Sequence, residues 1–304
     1  MIKSATITNY LSESITLELK NPWKTGIAVK DITGIGPVKA DINMTKISSG
    51  DGSRYNSARV GTRNIVFELI LLGNPSVEDA RQLTYKYFPV KKPVTIVIET
   101  DNRIGKIVGF VESNEPNIFS KQEETQISVV CANPYFTNMR GGETNIVTFF
   151  GTEPAFEFPF SNESLEEPLL EFGIIELRQE EIVTYDGDAE TGFIIRMHAL
   201  GEVRQITIYN TGTRESMKID TEKLKTITGQ GIIAGDEITI STVKGEKYIT
   251  LLRDGVVTNI LNALDKNTDW FQLAKGDNRF AYICEYGAEN LEFKIEYKTL
   301  YEGV

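Results

Sequence analysis

Apolar and polar residues alternate along much of the chain, which is typical of strands that bury one face and expose the other. The alternation is clear at residues 15–19 and 38–44, and it runs without interruption through residues 291–297. Residues 65–72 instead carry apolar side chains on both faces, which predicts a central strand covered on both sides. Many short strands separated by turn residues predict a mainly β protein built from sandwiches.

One helix is predicted in the first half of the chain. Ser76 can cap its first turn, and Glu78 and Asp79 follow where the free backbone amides favour acidic side chains. Apolar residues then recur at helical spacing up to residue 87, and Pro89 ends the pattern. A single helix packed on a β unit is the expected result.

Further strands are expected in both halves. They are predicted at residues 94–99, 103–111, 127–131, 193–200, 203–209, 237–243, 248–252 and 280–284. Asp254-Gly255 lies between two apolar runs, and this pair favours a tight hairpin turn because glycine tolerates positive φ.

The distribution of charge predicts two domains. The net charge is −11. Residues 1–138 hold 16 basic and 14 acidic residues, whereas residues 139–304 hold 16 basic and 29 acidic ones. Residues 163–190 are strongly acidic. We therefore predict a domain boundary between residues 138 and 139, with the two domains facing different surroundings.

Composition excludes several classes of protein. Hydrophobic residues make up 40% of the 304 residues, and no run approaches the roughly 18 apolar residues of a membrane helix. The first 19 residues lack the apolar core of a signal peptide, so we expect synthesis in the cytoplasm and no membrane insertion. The acidic balance argues against a general nucleic-acid binder, because phosphate binding needs clustered cations.

The sequence marks no catalytic, metal or cofactor site. Cys131 and Cys284 lie far apart in apolar runs, which favours buried thiols over a disulfide framework. The single histidine, His198, has no nucleophile or orienting partner that the sequence identifies. Gly34 and Gly36 indicate a turn, because no helix follows to bind a phosphate. We predict no enzymatic activity and no cofactor.

Three arginines in residues 50–64 form the candidate assembly interface. Arg54, Arg59 and Arg63 lie among small residues, with no acidic residue after Asp51. One interpretation is a solvated loop joining two strands. The other is an arm that docks on an acidic neighbour, such as a second copy of the chain, because arginine makes directional contacts with carboxylates.

Aromatic residues offer a further alternative. Trp23, Trp270 and Phe271 can form a sugar-binding face, because an aromatic ring is a flat apolar platform. Core packing is favoured, since large apolar side chains are more often buried.

The order of several motifs resembles the distal tail protein (Dit) family of siphophage baseplates over essentially the whole chain. In the first half the resemblance lies in Arg63-Asn64-Ile65, the single helix, and the closing Cys131-Ala132-Asn133-Pro134-Tyr135-Phe136. In the second half it lies in Gly235-Asp236, Asp254-Gly255, Trp270, Phe271, Leu273, Gly276 and Asn278. Asn133 departs from the family, in which Asp is common. We interpret both motif sets as structural.

This resemblance implies a function in assembly. The N-terminal domain would be a β-sandwich resembling the tail tube, and it would form a hexameric ring. The C-terminal domain would be a galectin-like β-sandwich on the periphery. Implied partners are the tail tube protein, the tape measure protein, the tail-associated hub protein and other baseplate components. The ring would belong to the virion tail tip and leave a channel for DNA, without specific nucleic-acid recognition.

Two alternatives remain open from sequence. A carbohydrate- or receptor-binding β-sandwich would use the aromatic residues, and binding to a glycan array would favour it. A β-rich glycoside hydrolase needs only two suitably spaced acids, and the sequence does not identify which acids these would be.

Overall fold

The computed structural model describes residues 1–73, 75–153, 174–177 and 179–304. It divides into two compact units: residues 1–143 with 300–304, and residues 144–299. The predicted boundary at 138/139 lies slightly before this division. The return of residues 300–304 to the first unit was not predicted. Part of the predicted connection, residues 139–168, lies outside the described residues.

The first unit is built mainly from strands and one helix. Its elements are β1 (Ile2–Thr8), β2 (Ser14–Glu18), β3 (Ile27–Thr33), β4 (Ala40–Lys46), β5 (Ser53–Val60), β6 (Arg63–Leu71), α1 (Val77–Tyr87), β7 (Pro93–Thr100), β8 (Ile104–Pro116), β9 (Glu124–Cys131) and β10 (Phe136–Asn138). The main sheet has the order β2-β1-β7-β8-β9-β6-β3. One face carries the core, because alternate residues of these strands are fully buried.

Strand β6 differs from its prediction. Its burial alternates strictly, with Ile65, Phe67 and Leu69 fully buried and Val66 and Ile70 only half-buried. The apolar residues on its second face are therefore not enclosed by a second layer.

Helix α1 confirms its prediction. The Ser76 hydroxyl accepts a hydrogen bond from the backbone amide of Asp79 at 3.1 Å, which satisfies one free amide of the first turn. Ala80 and Thr84 are its buried residues. Phe88 follows the helix and contacts Phe67, with ring centroids 5.4 Å apart. This ring pair packs the end of the helix onto the sheet.

The second unit contains two facing sheets. Its elements are β11 (Asn145–Thr148), β12 (Phe150–Glu153), β13 (Ile174–Leu177), β14 (Glu180–Tyr185), β15 (Phe193–Ala199), β16 (Ile206–Asn210), β17 (Glu215–Ile219), α2 (Thr221–Thr228), β18 (Glu237–Ser241), β19 (Tyr248–Arg253), β20 (Val256–Asn259), β21 (Gly276–Ile283) and β22 (Leu291–Tyr297). One sheet has the order β11-β22-β15-β18-β19-β20 and the other β14-β21-β16-β17. Both contribute to one apolar core, which includes Phe193, Phe271 and Phe280.

Local signals explain the turns and the second helix. Asp254 and Gly255 have φ values of 50° and 78°, which confirms the predicted tight turn between β19 and β20. Helix α2 was not predicted, because four of its eight residues are Thr or Ile, which favour strands. Asp220 caps it by accepting hydrogen bonds from two backbone amides, and Gly229 ends it in the left-handed region.

The last strand, β23 (Leu300–Tyr301), pairs with β10 in the first unit. The mainly β fold is confirmed. Among the described residues, no helix is long and apolar enough to cross a bilayer.

Candidate assembly surface

Strands β4 and β5 form a separate two-stranded ribbon. They pair with each other over residues 40–46 and 53–60, in a sheet of their own. Nearly every residue of the ribbon is exposed. The predicted half-buried strand at 38–44 is therefore exposed, and the segment predicted as a loop is largely strand β5.

The ribbon has one apolar face. Ile42, Met44 and Tyr55 are 55%, 54% and 61% exposed. The register places Ile42 opposite Ala58 and Met44 opposite Tyr55. Because side chains alternate between the faces of a strand, these residues share one side of the ribbon. An isolated two-stranded ribbon is marginally stable in water, so an uncovered apolar face indicates a partner surface.

Two of the three predicted arginines lie on the opposite, polar face. Arg59 pairs across the ribbon with Asp41, with Nε 3.6 Å from Oδ2, and its side chain is 85% exposed. Arg54 lies opposite Thr45. Both guanidinium groups are therefore accessible to a partner, as the docking-arm interpretation requires.

Arg63 does not belong to this surface, which corrects the grouping of the three arginines. It is 1% exposed and lies at the start of β6. Its Nε donates to the Pro134 carbonyl at 2.6 Å, its Nη2 to the Glu302 carbonyl at 2.6 Å, and its Nη1 to the carbonyls of Gly34 and Gly36. Burial lowers the pKa of this guanidinium. Arg63 is thus an internal clamp.

The clamp joins the predicted Asn133–Phe136 motif to the end of the chain. Asn133 Oδ1 accepts from the backbone amide of Tyr135 at 3.1 Å, which forms a local turn. Phe136 is fully buried, and the Arg63 guanidinium lies 4.7 Å from the centre of its ring. Arg103 donates to the Gly303 carbonyl at 2.9 Å. These contacts hold residues 300–304 in the first unit.

The second predicted motif also has a structural role. Phe271 and Leu273 are fully buried, so Phe271 cannot serve as a sugar platform. Asn278 donates to the carbonyls of Ala274 at 2.8 Å and Gly276 at 3.1 Å. Gly276 has a φ of 99°, which only glycine adopts readily. Of the other two aromatic candidates, Trp270 is half-buried and Trp23 is exposed.

The Gly235-Asp236 motif contains a buried ion pair. Asp236 is 1% exposed and accepts from Nε of Arg253 at 2.7 Å. Its second carboxylate oxygen also accepts from the backbone amide of Ile233 at 2.9 Å. Hydrogen bonding to Asp236 raises the pKa of Arg253. The pair links the turn before β18 to the end of β19.

The two cysteines differ in exposure. Cys131 is fully buried and Cys284 half-buried. Burial raises the pKa of the Cys131 thiol to about 11 and that of Cys284 to about 12. In the part of the chain that the structure describes, no group of His, Cys, Asp and Glu has the arrangement of a metal site.

These raised pKa values predict slow thiol chemistry. A thiol with a pKa near 11 is only about 0.1% ionised at pH 8, and the thiolate is the reactive form. We expect an aromatic disulfide reagent to modify Cys131 at pH 8 only after denaturant is added, measured by absorbance. Rapid modification of Cys131 in the folded protein, located by peptide mass spectrometry, would contradict this assignment.

Comparison with known proteins supports the predicted resemblance. Residues 186–301 match the family described as "Siphovirus-type tail component, C-terminal domain". No curated protein sequence matches the chain.

The fold is similar to solved structures from phages. The chain is similar to the Dit protein of phage SPP1, with a TM-score of 0.62, 12% identity, and coverage of 98% of this chain and 99% of that chain. That protein is described as a paradigm of the hub adsorption apparatus in phages that infect Gram-positive bacteria. Chains of the phage P2 baseplate in its activated conformation, with Ca or Sr, give TM-scores of 0.47 and 0.46. Their identity is 11%, and coverage is 97% and 96% of this chain and 98% and 97% of theirs.

Residues 186–301 therefore match a siphovirus-type tail component domain, the whole chain has a fold similar to that of the SPP1 Dit protein, and the predicted resemblance to the distal tail protein family is confirmed.

Proposed function

We propose that this siphovirus-type tail component is a structural, non-enzymatic protein of the virion tail tip. Copies of the chain close into a ring that connects the tail tube to the baseplate hub. The match of residues 186–301 and the fold shared with the SPP1 hub protein support this location. The observation that carries the ring assembly is the exposed ribbon of β4 and β5.

The ribbon needs a partner, and we assign this role to a second copy. Burying an apolar side chain of the size of Ile42 or Met44 contributes about 1.5–3 kcal/mol. The same unit exposes another apolar patch on β8, where Val108 and Phe110 are about half exposed. Phe110 lies opposite half-buried Val130 of β9. The ribbon of one copy and this patch of the next are both apolar, so each can cover the other.

A contact between two different patches is heterologous, and it generates either a closed ring or an open filament. A ring covers every ribbon, which removes the apolar faces and ribbon edges from solvent. We propose a hexamer with a central channel for DNA. Its neighbours would be the tail tube protein, the tape measure protein, the tail-associated hub protein and other baseplate components. The exposed Arg54 and Arg59 would add contacts at the rim.

Replacing Ile42 and Met44 together by serine tests this assembly. We expect wild-type protein to have a native mass of about six times the 34.1 kDa chain by light scattering, and the double variant to be monomeric. The variant removes apolar contact area from every subunit boundary while leaving the fold of the unit unchanged, because the ribbon contributes nothing to its core.

The matched control replaces Asn43 and Thr45 by alanine on the polar face of the same strand. This variant is expected to keep the wild-type mass. A wild-type protein that stays monomeric at high concentration would contradict self-assembly. An oligomer that survives the serine substitutions would show that the ribbon is not its interface.

A further inference from the structure

A row of polar side chains crosses the outer face of the six-stranded sheet in the second unit. Cross-strand pairing aligns one residue from each strand: Thr148, Lys294, Arg196, Thr239, Thr250 and Asn259. Each of these side chains can donate or accept hydrogen bonds. With strands about 4.8 Å apart, the row extends for roughly 24 Å.

A cleft lies over the middle of this row. Its volume is about 300 Å³. Its lining includes Arg196, His198, Glu237, Thr239, Glu292 and Lys294. The register places His198 on β15 between Glu237 of β18 and Glu292 of β22. The cleft therefore has a row containing two cations beside a row containing two carboxylates.

Part of the hydrogen-bonding capacity of the cleft is not used within the unit. His198 Nδ1 is buried and has no hydrogen-bond partner among the described residues. Glu237 is exposed and Glu292 is half-buried, and neither side chain forms a hydrogen bond or ion pair with any residue that the structure describes. A buried polar atom without a partner is costly, so His198 Nδ1 indicates a ligand that supplies a hydrogen-bonding group, and the two carboxylates beside it can accept hydrogen bonds from the same ligand.

The charges select the class of ligand. Glu296 pairs with both cations, with Arg196 Nε at 2.9 Å and Lys294 Nζ at 3.6 Å from its carboxylate, so it offsets one of their two positive charges. The free carboxylates of Glu237 and Glu292 would repel an anionic ligand. A cationic ligand between these carboxylates would lie beside Arg196 and Lys294, whose positive charges would repel it. An uncharged ligand rich in hydroxyl groups is repelled by neither set of charges, and it can form hydrogen bonds with both rows.

The geometry points to a neutral oligosaccharide-binding site on this sheet face, independent of the proposed ring assembly. The length of the row suits several linked sugars rather than a single one. Tyr248 is two residues before Thr250 on β19 and therefore shares its face. Its partly exposed ring supplies an apolar platform beside the polar row.

Binding of the 304-residue protein to immobilised tetrasaccharides tests this site. The panel contains neutral glucose, galactose and N-acetylglucosamine chains, together with sulfated and uronic-acid chains as anionic probes. We expect binding to at least one neutral chain, followed by titration calorimetry of that chain with each variant. Thr239→Val removes one hydroxyl at nearly constant shape, and Arg196→Ala removes the central donor. Each is expected to weaken binding tenfold or more.

Matched controls lie on the other sheet of the same unit. Thr207 of β16 is half-buried and Arg279 of β21 is exposed. Thr207→Val and Arg279→Ala are expected to leave the affinity unchanged. The proposal is overturned if no neutral chain binds, if binding is confined to the anionic chains, or if Thr239→Val and Arg196→Ala bind as well as wild type.

Discussion

Replacing Arg63 by methionine is expected to lower the free energy of unfolding of the first unit by about 3–5 kcal/mol, because several carbonyls lose their donor at once. The substitution keeps an apolar chain of similar length against Phe136 but removes every donor of the guanidinium. The carbonyls of Gly34, Gly36, Pro134 and Glu302 then lose a hydrogen-bond donor inside the protein. Residues 300–304 lose part of their attachment.

Hydrogen exchange measured by mass spectrometry locates this effect. Peptides of β6, β10 and β23 should exchange faster in the variant, while peptides of β15 and β18 in the second unit serve as an internal reference. Arg59→Met removes the same charge from an exposed position and should leave exchange unchanged. Arg63→Lys keeps the positive charge but not the planar guanidinium group with its several donors. We expect this variant to lose protection from exchange to an intermediate degree. If β10 and β23 of the Arg63→Met variant were as well protected from hydrogen exchange as in the wild type, Arg63 would not be the clamp.

Breaking the ion pair between Asp236 and Arg253 is expected to have a comparable effect on the second unit. Removing one member of a buried pair costs about 3–5 kcal/mol, because the other charge remains without a partner. Arg253→Met leaves the carboxylate of Asp236 buried, at 1% exposure, without its cation. We expect a lower denaturant midpoint for unfolding of this unit, with an unchanged slope.

The exposed pair between Glu202 and Arg204 is the control for this prediction. Its N–O distance is also 2.7 Å, but both side chains are about half exposed. Solvent screens such a pair, so Glu202→Gln should leave the midpoint unchanged within error. The double variant Asp236→Asn/Arg253→Met should be less destabilised than the sum of the single variants, because no unpaired charge remains. If the losses of stability in the two single variants added up to the loss in the double variant, the two residues would act separately.

Several elements could be predicted because their signals are local. Residues 291–297 alternate in sequence and form β22 with alternating burial. Ser76 caps α1, and Asp254-Gly255 turns between β19 and β20, as their residue types predict. Helix α2 escaped prediction because its Thr and Ile residues favour strands, and its capping residues decided the outcome.

The candidate sites depended on contacts that no local pattern contains. Arg59 and Arg63 are four residues apart in the same kind of sequence, yet one is exposed and the other buried. The difference arises because Glu302, 239 residues away along the chain, returns to meet Arg63. The row of polar residues on the second unit likewise depends on the register of six strands.

The sequence by itself determined the mainly β class, the capped helix, the tight turns and the resemblance to the distal tail protein family. Each of these depends on residues close together in the chain, where backbone preference and side-chain periodicity act directly. Only the tertiary structure decided that β4 and β5 stand apart as a ribbon, that Arg63 is a clamp, and that six strands align one polar row. These features depend on pairing between distant segments, whose register is set by packing of the whole unit.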